Sequence, residues 1–383
     1  MHYQHRKFYH LRLFLVILIG VGGAAWLTIH WWPQSTTPAH PKTSLTVKKT
    51  PTKKKAIKKP TTPLTTVVKD TAIDRYLTQQ HFTGTALIVR ENHVILRKAY
   101  GWRNRKQQLK NELATPYYIG STEKALIATA ILQLQSAGKL KITDPVNRYF
   151  PHFPNGNKIK LKNLLNHTSG LAGHQEVNAA TTPAKLVKDI EKQGITSQPG
   201  TWHYLDSNYT VLAYLVEKLS HQPLMTYLQQ RVFDPANMAT PLTYQKFAKD
   251  PKRSTGYRIS SDGKYVTPTL PDLSQLYGVG NLAMTVTEMY KFDAALMQGK
   301  LLSTKARQQL LTAGSSSGYG MGFYVDPGTY NSHGIVSGWN VSNSFTHTGK
   351  TYIVLMSNVQ NNIRSFGVVN NQLYTLLNQQ AKG

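Results

Sequence analysis

The chain has no cysteine and few acids: 18 Asp and Glu stand against 45 Lys and Arg in 383 residues, a formal charge of +27. Without cysteine there is no disulfide framework, no thiol nucleophile and no cysteine for a lipoprotein anchor. No His-Glu-x-x-His or similar ligand spacing occurs, so the sequence gives no reason to invoke a metal or other cofactor. No internal repeat is found, and the excess of positive charge comes without a motif that reads nucleic acid. Long apolar runs are scarce too, with one exception near the N-terminus.

That exception, Leu13 to Ile29, holds about 17 apolar residues, enough to cross a hydrocarbon core. Arg6, Lys7 and Arg12 precede it and Trp31-Trp32 follow, the pattern of a single span with its N-terminus inside. A cleaved signal peptide is the rival, but no clean small-x-small boundary follows the run. Pro33 to Lys69 is then Thr, Pro and Lys with almost no core-forming residue, including Lys53-Lys54-Lys55. Such a segment buries too little to fold, and extended it would reach ~100 Å at ~3.1 Å per residue. Its lysines are either simply solvated or drawn to an anionic polymer or lipid surface. The expected organisation is a cytoplasmic N-terminus over 1–12, an anchor over 13–32, a disordered tether over 33–69 and a folded domain over 70–383.

Within that domain, Thr71 to Gln80 has helical amphipathicity. Thr85 to Val89 and Val94 to Leu96 alternate as a hairpin about Glu91-Asn92. Helical patterns dominate from about 121 to 240, and another helix is expected over Val286 to Met297. The C-terminal part returns to strands, Asn340 to Phe345 and Tyr352 to Met356, before a closing helix near Ser365 to Leu377. Strands at both ends around a helical middle predict an α+β fold whose termini meet in one sheet.

Chemistry concentrates at Ser121-Thr122-Glu123-Lys124. A Ser-x-x-Lys string is expected about twice by chance at serine and lysine frequencies of roughly 7% each, and it occurs three times. Ser136-Ala137-Gly138-Lys139 falls where a helix runs out into glycine, and Ser261-Asp262-Gly263-Lys264 in an Asp-Gly turn. Only Ser121 opens a helix, Ala125 to Leu134, that is apolar nearly all round and therefore central. There the dipole favours a serine alkoxide, and Lys124 lies one turn later on the same face. A capping serine with a solvated lysine has the same letters, so the rest of the chain must decide.

It does so through Tyr204-Leu205-Asp206 after the Pro199-Gly200 turn, Leu164 to Leu171 (Leu-Leu-Asn-His-Thr-Ser-Gly-Leu), Gly280-Asn281-Leu282 and Tyr319-Gly320-Met321-Gly322. In this order they make the chain after residue 70 resemble the penicillin-binding protein and class C β-lactamase superfamily of serine hydrolases. The resemblance implies an antiparallel sheet flanked by helices plus a helical lobe, with the active site between them. It implies that Ser121 is acylated, that Lys124 or Tyr204 takes its proton, and that Tyr204 returns one to the leaving group. It needs no cofactor. The oxyanion is expected on the backbone N–H groups of Ser121 and Ile335.

Two departures from the family pattern bear on substrate. The usual Tyr-x-Asn is here Tyr204-Leu205-Asp206. The usual Lys or His, small residue, Gly is best matched by Ser332-His333-Gly334, with His333 in the basic position if one residue is deleted; His347-Thr348-Gly349 fits the letters but lies in a turn. Ser332 would remove the cation that holds a substrate carboxylate, and Asp206 would add an anion that pairs either with Lys124 or with a substrate ammonium. D-alanyl esters of teichoic acid offer an ammonium and no carboxylate, on a polyanion that a basic tethered protein attracts. The sequence therefore leads to a membrane-anchored, extracellular hydrolase of D-alanyl groups in the cell envelope, as teichoic-acid esterase or D,D-carboxypeptidase. A β-lactamase, or a wall-binding relative with a decayed third motif, are the other readings. His167 reads as structural, in a connecting loop.

Overall fold

The computed structural model describes residues 64–380. The expected anchor and all of the tether up to residue 63 lie outside the described residues. Among the described residues no helix is long and apolar enough to cross a membrane.

The central sheet has seven antiparallel strands: β1 (Val67–Val68), β2 (Gly84–Arg90), β3 (His93–Tyr100), β4 (Tyr324–Asp326), β5 (Thr329–Val336), β6 (Trp339–Thr346) and β7 (Thr351–Ser357), in the order β1-β3-β2-β7-β6-β5-β4. N- and C-terminal strands meet where β2 pairs with β7, from Gly84↔Ser357 to Arg90↔Thr351. The hairpin turn forms where expected because Glu91 and Asn92 both take positive φ, +47° and +63°, the twist that a two-residue hairpin loop requires. The edge strand β1 comes from the segment expected to be tether, since Val67 and Val68 pair with Arg97 and Leu96. The folded part thus begins before Asp70.

Two helices cover one face of the sheet, α1 (Thr71–Gln79) and the closing helix Phe366–Gln380. Asp70 starts α1 by accepting from the N–H groups of Ala72 and Ile73 at 2.8 and 3.1 Å, which satisfies two donors that the first turn cannot use itself. Ile73, Leu77, Ile88, Leu96, Leu355 and Leu373 fill this layer.

The other face carries the larger core and the helical body. Its axis is α2 (Glu123–Ser136), with 11 buried residues of 14, so this helix is surrounded by protein rather than laid on a surface. Packed about it are α3 (Asp206–Ser220) and shorter helical segments, while α4 (Val286–Met297) lies against β2 and β7; the closing helix is α5. A small sheet joins Tyr117–Tyr118 and Leu242–Thr243 to Leu282–Met284. It fixes the chain just before Ser121 to the chain at 282.

Candidate active site

Ser121 lies in the 3-10 turn Gly120–Thr122 that runs into α2, two residues before Glu123, where the helix begins. The turn is clamped on two sides. Ile119 donates its N–H to the Leu282 carbonyl at 3.0 Å, and the Glu123 carboxylate accepts from the Leu282 N–H at 3.2 Å. Glu123 is fully buried, and burial pushes its pKa up to about 8.

On the third side β5 passes at backbone contact. A Cβ on Gly334 would stand 1.9 Å from the Ile119 carbonyl oxygen and 3.0 Å from the Ser121 nitrogen, and a Cβ on Gly120 (φ +52°) would stand 2.6 Å from the Ile335 nitrogen. Only glycine leaves room for that approach. The amides of Ser121 and Ile335 are thereby brought side by side, the disposition an oxyanion hole needs.

Lys124 is fully buried, and its ammonium donates to Ser121 Oγ at 2.8 Å. The same Nζ makes a close ion pair with Asp206 Oδ1 at 2.7 Å and lies over the Tyr204 ring, 4.9 Å from its centroid. Burial alone would lower its pKa, but the charge of Asp206, helped by Tyr204, outweighs that and holds it above the usual lysine value. Lys124 is therefore an ammonium at rest. Asp206 heads α3, where a carboxylate also suits the helix N-terminus. Of the two partners the sequence left open for Asp206, it has taken Lys124, yet 40% of its side chain stays exposed.

His167 is more than a loop residue. It is fully buried at φ +55°, and its ring lies 4.2 Å from that of Tyr204, with Tyr209 and Tyr319 at 5.2 and 4.8 Å. Its Nδ1 accepts from the Leu205 N–H at 3.2 Å and faces the Asn208 side-chain amide at 3.1 Å. Burial, then the charge of Lys124, holds its pKa well below the usual histidine value. A neutral ring used as an acceptor ties the N-terminus of α3, and so Tyr204 and Asp206, to the helical body.

The third motif divides between two faces of the sheet. Register pairs Ser332 with Asn343 and His333 with Ser342. Ser342 is bound by Asn370 of α5, so His333 points to the α5 side, away from the nucleophile. The expectation that His333 contacts substrate beside Ser121 is thus corrected: strand alternation turns it outward. Ser332 and Gly334 face the helical body. His347 packs at the other end of β5, on Thr329 and Tyr330.

Behind Ser332 lies a group the sequence did not reveal. Asp293 of α4 is fully buried with no cation beside it. Asn343 Nδ2 donates to Asp293 Oδ1 at 3.1 Å and lies 3.4 Å from Ser332 Oγ. Among the described residues Asp293 Oδ2 and Asn343 Oδ1 have no partner of their own. A protonated carboxyl supplies the donor those two acceptors lack, and burial raises the Asp293 pKa well above the carboxylate range. Its folded-state pKa exceeds the unfolded one. This contribution to stability is therefore fully present below about pH 3.8 and is lost as pH rises, while the unfolded chain ionises and the fold cannot. Asp293→Asn removes the ionisation and keeps the shape. The variant should melt higher than the parent at pH 7, with the gap shrinking below about pH 4; thermal melts across pH read this, and an unchanged gap would contradict it.

Three comparisons bear on this geometry. Residues 70–373 match the family described as Beta-lactamase. A Bacillus subtilis (strain 168) protein named as a penicillin-binding protein, PbpX, is 47% identical over 370 residues, covering 96% of this chain and 94% of that one. A teichoic acid D-alanine hydrolase of Staphylococcus aureus is 32% identical over 298 residues, covering 76% of this chain and 74% of that one. A crystal structure of FmtA from Staphylococcus aureus superposes with a TM-score of 0.75 at 29% identity, over 83% of this chain and 90% of that one.

Proposed function

The chain belongs to the Beta-lactamase family of serine hydrolases, and from that premise we propose that it removes D-alanyl groups from esters on an anionic polymer of the cell envelope. The observation that carries this reading is the charge pattern of the site. Ser332 stands on the nucleophile's face where the family's usual cation would receive a substrate carboxylate. Asp206, half-exposed beside Lys124, adds an anion instead. A site so arranged favours a substrate with an ammonium and no carboxylate. A D-alanyl ester is one, and the name of the Staphylococcus aureus relative points the same way.

In the proposed cycle Ser121 Oγ attacks the ester carbonyl while the carbonyl oxygen takes up negative charge against the amides of Ser121 and Ile335. Because Lys124 is already an ammonium, the Ser121 proton passes in this proposal to Tyr204 acting as a phenolate, with the ammonium as its counter-charge. Collapse breaks the C–O bond to the polyol, and Tyr204 returns the proton to the leaving alkoxide. Water then attacks the D-alanyl-Ser121 ester by the same route and frees D-alanine. The apolar run at 13–32 would hold the enzyme to the membrane with the catalytic domain outside, and the lysine-rich tether would keep it against the polyanion.

The test is D-alanine release from D-alanylated lipoteichoic acid by the full-length chain in detergent, against Ser121→Ala. Release that disappears in the variant supports the esterase. Release of D-alanine only from peptides ending in D-Ala-D-Ala would replace it with a carboxypeptidase.

A further inference from the structure

Behind β5, on the face turned away from Ser121, a groove of about 640 Å³ runs between the sheet and the start of α5. The mechanism above makes no use of it. Its walls are polar and uneven in hydrogen-bonding sense. His333 Nε2 lies 2.6 Å from Asn340 Oδ1, while Asn340 Nδ2 donates to the Gln360 carbonyl at 2.8 Å. Asn340 therefore presents its oxygen to His333, which must donate from Nε2. Desolvation against the sheet lowers its pKa, and with Nε2 donating, the Nδ1 of the neutral ring is an acceptor. Asn370 is 5% exposed and donates to Ser342 Oγ at 2.9 Å, but its own Oδ1 has no partner among the described residues. The groove also holds one exposed cation, Arg364, which makes no ion pair among the described residues. Asp326 lies on the rim, its carboxylate occupied by Asn331 at 2.7 Å.

These features define what would fill the groove. Two acceptors, one of them nine-tenths buried, call for hydroxyl donors. An unpaired guanidinium calls for an anion with two oxygens to offer. Phe366 is 6% exposed and presents no open ring face on which a sugar could stack. A chain of polyols joined by phosphodiesters supplies both hydroxyls and anions. A neutral glycan supplies only the hydroxyls.

The groove backs onto the catalytic centre across the single strand β5. The Ile335 side chain, 46% exposed, lines it, while the Ile335 amide lies against the Gly120-Ser121 turn. The β5 backbone at Ile335 thus lies between the groove and the turn that carries Ser121.

We propose that the groove is a subsite for an unesterified polyol-phosphate unit of the substrate polymer, with Arg364 on the phosphodiester and Asn370 Oδ1 and His333 Nδ1 on the polyol hydroxyls. The inference rests on the esterase reading above and deepens it, since it gives the enzyme a way to recognise polymer rather than any D-alanyl ester.

The experiment compares D-alanylated lipoteichoic acid with the small ester D-alanyl glycerol, using the full-length chain and its Arg364→Gln variant. Arg364 is exposed, so the substitution should leave the fold intact. KM for the polymer should rise about 5- to 10-fold in the variant, with kcat and both constants for the small ester unchanged. The difference should fade in high salt. Unesterified poly(glycerol phosphate) should compete with the polymer on the parent and compete less well on the variant. An unchanged KM for polymer, or equal losses on both substrates, overturns the subsite. So does competition by uncharged glycan strands in place of poly(glycerol phosphate). If the parent hydrolyses neither ester, the esterase reading fails by itself, and direct binding of poly(glycerol phosphate) by parent and variant still decides the groove. Both chains carry the same lysine-rich tether, so any difference between them belongs to Arg364.

Discussion

Asp206→Asn should cut kcat/KM on D-alanyl esters by about 10- to 100-fold, the range for losing one charge-assisted contact, and should cut it less on an acetyl ester that lacks the ammonium. The variant restores the family's usual Tyr-x-Asn, so a loss would run against the family pattern and report on this chain's own substrate. Two effects are superposed, and the pair of substrates separates them. The part common to both esters comes from Lys124. Its ammonium is held charged by Asp206 against a burial that would otherwise lower its pKa. Without the carboxylate that pKa falls, so any activity that needs the charged form is lost from the alkaline side first. The upper limb of the pH–rate profile should therefore move to lower pH in the variant. The part specific to D-alanyl esters comes from the Asp206 side chain, 40% exposed although Oδ1 is buried, which remains able to meet a substrate ammonium. Equal losses on both esters would confine Asp206 to positioning Lys124. A gain in activity near neutral pH would make the neutral amine of Lys124 the base and remove Tyr204 from that role.

What the sequence disclosed, and what it hid, divides by the range of the contacts involved. The α2 helix was legible because its apolar residues cover every side, which only a central helix tolerates. That selected Ser121 from three Ser-x-x-Lys strings. The hairpin at Glu91-Asn92 and the closing strands were legible from alternation and turn residues. The meeting of the termini in one sheet followed from strands at both ends of the chain, and β2 pairing with β7 bears it out. Strand β1 was hidden, since two valines after a lysine-rich segment carry no pattern and become a strand only by pairing with β3. The third motif was half legible. Letters could not choose between Ser332 and His333, because a one-residue slip reverses every side chain of a strand; the cross-strand partners Asn343 and Ser342 choose. Asp293 gave no signal at all. It occupies an ordinary helical position, and its contact with Asn343 spans 50 residues. His167 was visible as a motif residue, but its place against Tyr204 is a tertiary fact joining two loops 37 residues apart, by the distance from 167 to 204.

Lys124→Met should lower kcat by about 10²- to 10⁴-fold, the span that positioned proton-transfer groups contribute, and should abolish covalent labelling of Ser121 by a fluorescent fluorophosphonate. The reason is that one ammonium serves three neighbours. It donates to Ser121 Oγ, pairs with Asp206, and faces the Tyr204 ring. Methionine nearly matches the length and volume of the side chain and offers none of these contacts. The fold should survive, and this makes the loss interpretable. A fully buried cation is costly to desolvate, and replacing one with an apolar side chain of similar size is often neutral or stabilising. The usual penalty of such a replacement is the partner left charged and buried. Here that partner is Asp206, whose paired Oδ1 is buried but whose side chain is 40% exposed, so the carboxylate can turn toward water. The melting temperature of Lys124→Met should therefore equal or exceed that of the parent while activity collapses. A variant that melts far below the parent would mean that Lys124 holds the helical body together, and its lost activity would then say nothing about proton transfer. A variant that folds and still labels with the fluorophosphonate would show that Tyr204 activates Ser121 without the ammonium. The route in which Lys124 stabilises the phenolate would then fall, even if hydrolysis of the ester remained slow.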